Sequence, residues 1–221
     1  MNQKKIRIAG LLLLIIFVIG VMNYQFLRGP IVFDDNYLSL IANNKSEIVY
    51  SVLLSFLSGV LSIVVALTLF DYFKKDNYVL ALGYIIFTLL NFIGIAMENF
   101  AVFSLLEVSQ EYVSKADLSE SSSFISLGAT LYGFHKWAHY SFLLLSCLPV
   151  FVLFCNLFKL QLVPKSISVF GMIAATLMFI NMILLMTEIK IPIDLMIPIG
   201  LLQLLFPFWL MIKGFNLKIE K

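Results

Sequence analysis

The sequence predicts an all-α, polytopic membrane protein, a bundle of six transmembrane helices with an amphipathic helix in an outer loop. Three observations predict it. Of the 221 residues, 61% are hydrophobic and only 13% are charged, whereas a soluble domain of this size needs roughly a quarter charged residues to cover its surface. Apolar runs of about 20 residues recur along the whole length, each long enough at ~1.5 Å per residue to cross a ~30 Å hydrocarbon core. Charged residues gather in short turns between those runs, as in DYFKKDN at 71–77 and KLQLVPKS at 159–166. Residues 1–221 therefore read as a single integral membrane domain.

The first span is expected over residues 8–24. Lys4, Lys5 and Arg7 precede LLLLIIFVIGVM, which has the charged and apolar regions of a secretory signal, but no small-x-small cleavage site follows in NYQFLRGP. An uncleaved helix is the expectation. Residues 25–46 read as a wet segment that contains Gly29-Pro30, a helix break, and then Asp34 or Asp35 as the cap of a short interfacial helix. Asn44 with Glu47 three residues later reads as a capping box opening the second span, 47–70. Along that span Ser51, Ser55, Ser58 with Gly59, and Ser62 form a stripe of small residues on one face.

The third span, 78–106, places Tyr84, Thr88, Asn91, Gly94 and Glu98 at spacings of four, three, three and four, on one side of a helix. After it, Asp117 and Glu120 suggest a freshly capped outer helix with Phe124, Leu127 and Leu131 on its apolar face. The fourth span, 136–158, has Trp137 and Tyr140 near its start as interfacial anchors. Pro164 suits the first turn of the fifth span, 165–187. The sixth, 195–213, contains Pro198 and Pro207 and is expected to be kinked.

Charge sets the expected orientation. The amino end, the 71–77 and 159–165 turns and the carboxyl end hold ten of the fifteen Lys and Arg. That side is read as cytoplasmic, which puts both termini inside a cell inner membrane. A net charge of +2 with no basic block argues against a nucleic-acid partner. Cys147 and Cys155 lie eight residues apart on one helix, about 12 Å along its axis, beyond disulfide reach.

LVPKSISVFG at 162–171 and IPIGLLQLLFPFWLMIKGFN at 197–216 resemble a bacterial family of six-helix membrane proteins, catalogued as a domain of unknown function, DUF4386. The resemblance rests on Val163-Pro164-Lys165 opening the fifth helix and on Trp209, Lys213, Gly214 and Phe215 closing the last. Gln203 stands where members often carry Glu, and the third helix lacks an arginine often seen there. The resemblance implies the topology and carries no activity with it.

Three classes of function compete for the polar residues. Glu98 and His139 are both expected about 30 Å from the cytoplasmic face, and His135 shares a face with His139 one turn away. His135, His139 and Glu98 are therefore candidate zinc ligands of a metal-dependent intramembrane hydrolase. Asn91, Glu98, Asn181 and Gln203 are candidates to line the pocket of a small proton- or cation-coupled transporter. The default is a non-enzymatic binding or assembly component, with no catalytic residue. Its contacts would be the lipid bilayer and, through Ser51, Ser55, Gly59 and Ser62, a membrane partner or a second copy.

Overall fold

The computed structural model describes residues 3–75, 77–115, 121–189 and 193–216. The expected Asp117–Glu120 cap lies outside them. Among the described residues every regular element is helical. In chain order these are α1 Gln3–Met22, a π-helical turn Asn23–Leu27, α2 Gly29–Val32, α3 Tyr37–Asn43, α4 Lys45–Phe73 and α5 Tyr78–Ser114. Then come α6 Ser121–Lys159, α7 Lys165–Met186, a 3-10 turn Ile193–Met196 and α8 Ile197–Lys213. Five stretches, Gln3–Val32, Lys45–Phe73, Tyr78–Ser114, Ser122–Lys159 and Lys165–Met186, are long and apolar enough to cross a membrane. At 17 residues, α8 is a shorter apolar helix. Among the described residues there are thus five such helices, as befits a membrane protein, and a sixth that falls short of the same length.

Two expectations change. Phe124, Leu127 and Leu131 do not form a separate surface helix, because α6 runs without interruption from Ser121 to Lys159. Nor does Gly29-Pro30 end the first span. The Arg28 amide donates to the Asn23 carbonyl at 2.7 Å, five residues back, so the helix widens by one residue and continues. Pro30 then falls in the first turn of α2, where a missing amide proton leaves nothing unsatisfied. Gly29 is required there, since a Cβ would run into the Tyr24 carbonyl.

The chain divides into two compact units. The first comprises Met1–Phe17, Gly59–Phe92 and Leu143–Lys221. Its core joins Ile6 and Ala9 to Leu69, Phe73, Phe154, Leu157, Met178, Phe206 and Leu210. Small residues let its backbones approach: a Cβ on Gly10 would lie 2.9 Å from that of Leu210, and one on Gly171 would enter the Phe154 ring. At one end the Gln3 side-chain amide brackets Phe215, donating to its carbonyl at 2.7 Å and accepting from its amide at 3.1 Å. Gly214, with φ +69°, makes the turn that presents Phe215 to Gln3.

The second unit comprises Val18–Ser58 and Ile93–Phe142. Its core packs Ile31, Val32 and Ile41 against Ile48, Val52, Val102, Leu105 and Leu106. The segment expected to be wet is therefore a working part of this core, with Arg28, Ile31, Val32, Leu38 and Ile41 all buried. The short helix expected after Pro30 is present as α3. Asp34 accepts from the Asn36 amide at 2.8 Å, ahead of the helix. Asn44 closes α3 by donating to Leu40 O at 2.8 Å.

Candidate functional site

Four segments of the second unit each contribute polar side chains to one buried cluster. The π-helical turn and the residue after it supply Asn23, Tyr24 and Arg28. From α4 come Ser51 and Ser55, one turn apart, and α5 gives the neighbours Glu98 and Asn99. His135 and His139, also one turn apart, come from α6. Arg28, Ser51, Asn99 and His135 are fully buried, and Glu98 is 2% exposed.

Arg28 is the hub. Its Nε donates to Ser51 Oγ at 3.2 Å, and its Nη2 donates to Asn99 Oδ1 at 2.6 Å and to Ser55 Oγ at 3.5 Å. Its Nη1 stands 3.2 Å from Glu98 Oε1. The guanidinium thus spends most of its donors on neutral oxygens and meets one negative charge. Asn23 braces the same wall, donating from Nδ2 to Ser55 Oγ at 2.6 Å and to Ser51 O at 3.1 Å.

Glu98 receives the rest. The Tyr24 hydroxyl donates to both carboxylate oxygens, at 2.9 and 3.0 Å, and His139 Nδ1 lies 3.0 Å from Oε1. His135 Nε2 is 3.7 Å from the same oxygen, an electrostatic contact too long for a hydrogen bond. The two imidazoles stack at 6.1 Å, and Phe33 lies against both, at 5.9 and 5.6 Å. Several buried polar atoms have no hydrogen-bond partner: Asn23 Oδ1, Asn99 Nδ2 and both ring nitrogens of His135. Such atoms are costly in an apolar interior, and in native sites they mark a place for water or a ligand.

The structure therefore gathers Glu98, His135 and His139 and adds to them a cation from another span. Among the described residues no three His, Cys, Asp or Glu side chains are arranged to hold a metal ion. The remaining sequence candidates lie elsewhere. Asn91, Asn181 and Gln203 belong to the first unit. Asn181 is buried, Asn91 is half-buried, and Gln203 is exposed. Ser51, Ser55 and Gly59, read as a face for a partner, are buried within the chain, and Ser62 is half-buried.

Arg28, Tyr24, Asn23 and Asn99 went unnoticed as site residues. Asn99 adjoins Glu98, and Arg28 is a lone charge in YQFLRGPIVF, between apolar residues. The available signal was a lone arginine in one apolar stretch and a lone carboxylate in another, each in need of an opposite charge, and Gly29-Pro30 concealed it by suggesting that the span had ended.

The family model described as Domain of unknown function (DUF4386) matches residues 8–214. No curated protein and no solved structure matches the chain.

Proposed function

The chain belongs to the DUF4386 family, which has no assigned activity, and from that premise we propose a non-enzymatic, membrane-embedded binding protein centred on the Arg28–Glu98 cluster. One observation carries this reading: a fully buried guanidinium and carboxylate, 3.2 Å apart inside membrane-spanning segments, beside polar atoms with no partner. Ionisable groups buried among membrane-spanning helices cost several kcal/mol when unpaired and are functional candidates by default. Ser51 is not set up as a nucleophile. Ser51 Oγ already donates to Ile48 O at 2.7 Å and accepts from Arg28.

In this reading α8 completes a sixth span of a bacterial inner-membrane protein and both termini are cytoplasmic, as the distribution of Lys and Arg supports. Thermal unfolding of the detergent-purified chain against a panel of small polar compounds tests the binding centre. Stabilisation of the wild type that disappears in both Arg28→Lys and Asn99→Ala is the expected result. Stabilisation that survives both changes puts the site elsewhere and sinks the reading.

A proton-coupled transporter on the same centre is the second reading. It is favoured by His139, which is 14% exposed and 3.0 Å from buried Glu98, a one-step route for a proton into the cluster. A zinc hydrolase on His135, His139 and Glu98 is less favoured. The metal would share its only carboxylate with the Arg28 guanidinium, whose charge repels it.

A further inference from the structure

We infer that a groove between the start of α1 and the end of α4 holds one phospholipid of single negative charge, its phosphate on Lys5 and an acyl chain on Ile8, Val64 and Leu67. The groove lies wholly in the first unit and is independent of the buried cluster in the second. Ile6 and Ala9 of α1 pack into the same core as Val65, Ala66 and Leu69 of α4. Their sequence neighbours Lys5, Ile8, Val64 and Leu67 are turned outward and exposed. Together with Thr68 and Asp71 they line an open cavity of about 360 Å³. That volume falls at the lower end of small-ligand sites, roughly 300–1,000 Å³.

The lining is graded along the helix axes. Lys5 stands in the first turn of α1 and Asp71 near the end of α4. Val64 precedes Asp71 by seven residues, about 10 Å along the axis. Charged groups therefore stand at the mouth with apolar side chains beneath them, the order in which a phospholipid presents its phosphate and its acyl chain.

Charge decides which phospholipid fits. Lys74 Nζ lies 2.6 Å from Asp71 Oδ1, so those two cancel and Lys5 sets the net charge of the lining. Lys4, Arg7 and Lys75 add to it nearby in the sequence, and Asp76 subtracts. The Thr68 hydroxyl donates to Val64 O at 2.7 Å, which leaves Lys5 as the one lining side chain with a donor to offer a phosphate. An ethanolamine or choline head brings a cation to a groove whose single carboxylate is already paired. A glycerol head brings none, and its hydroxyls can donate to the exposed Asp71 carboxylate, which keeps acceptor capacity beside Lys74.

Native mass spectrometry of the full detergent-purified chain, incubated with equal amounts of phosphatidylglycerol, phosphatidylethanolamine and phosphatidylcholine of the same acyl chains, tests the inference. One phosphatidylglycerol is expected to be retained about fivefold over either of the others, the size of one lysine's attraction to an anionic headgroup. Lys5→Gln is expected to erase that preference and Lys5→Arg to keep it. Val64→Trp, which fills the groove and leaves its charges alone, is expected to lower retention of the first lipid. Lys75→Gln, outside the lining, is expected to change nothing. All three positions are exposed, and an unchanged melting temperature in lipid-free detergent confirms the fold of each variant. Equal retention of the three lipids overturns the inference, as does a preference for phosphatidylethanolamine. So does a preference that falls as far in Lys75→Gln as in Lys5→Gln, which marks a diffuse basic surface instead of a site.

Discussion

Arg28 Nη1 and Glu98 Oε1 lie 3.2 Å apart with both side chains buried, joining the first span to α5 inside a region built of apolar helices. Removing one member leaves the other charged and alone. Arg28→Ala and Glu98→Ala are each expected to cost roughly 3–5 kcal/mol in stability. The double change to apolar residues of similar volume, Arg28→Met with Glu98→Leu, should cost much less than their sum. Thermal and denaturant unfolding of all three in one detergent checks this, and strict additivity would dissolve the pair as an energetic unit.

Tyr24→Phe isolates a single donor. The hydroxyl reaches both Glu98 oxygens and is the only hydrogen-bond donor described for Oε2. Its loss is expected to cost about 1–3 kcal/mol, because the acceptor stays buried. An unchanged midpoint would mean that water replaces the hydroxyl.

Gly29→Ala is expected to be among the most damaging conservative changes, since its Cβ would occupy the Tyr24 carbonyl and disrupt the π-helical turn that aims Arg28. Gly20 and Gly83 serve as internal controls. Both are helical with open space where a Cβ would go, so alanine there should be neutral or stabilising by about 0.5–1 kcal/mol. Comparing the folded yield and melting of the three variants decides the matter.

Elemental analysis separates the ion-pair cluster from a metal centre. Protein exchanged into metal-free buffer is expected to retain no stoichiometric zinc, because the Glu98 oxygen facing both histidines also faces a guanidinium. Zinc at one equivalent that vanishes in His135→Ala would reverse the order of the two readings.

Single-cysteine labelling addresses the sixth span. Cysteines introduced at Lys5 and Lys213, in a background lacking Cys147 and Cys155, are expected to react with an impermeant reagent from the same side of the membrane. Labelling from opposite sides would show that α8, at 17 residues, does not cross.

The helical class was plain in the sequence because composition and run length alone enforce it. The small residues of α4 and the polar side of α5 were also visible as periodic patterns, and Ser51, Ser55, Tyr84, Thr88 and Glu98 are indeed buried. Periodicity names a face, however, and does not name what that face meets. Serines that looked like a surface for another helix instead receive hydrogen bonds from Arg28 and Asn23. The glycine and proline after Arg28 read as a stop because, locally, that is their commonest meaning. A π-helical turn converts them into a continuation, and it depends on contacts no short window contains. Likewise, α5 and α6 extend well past the expected ends of their spans because polar residues such as Glu107 and Ser126 are accommodated in helices that project beyond an apolar core.

The continued first span also bears on how the protein is made. Arg28 leaves the ribosome seventy residues ahead of Glu98, so during synthesis its charge has no carboxylate to meet. Until α5 is delivered, the nascent first span is best accommodated with Arg28 held toward the headgroups or within the insertion machinery. Its final depth is thus fixed late, when Glu98 arrives. The ion pair is thus a contact that the chain can complete only once α5 is made, and a chain truncated before α5 carries Arg28 without its carboxylate.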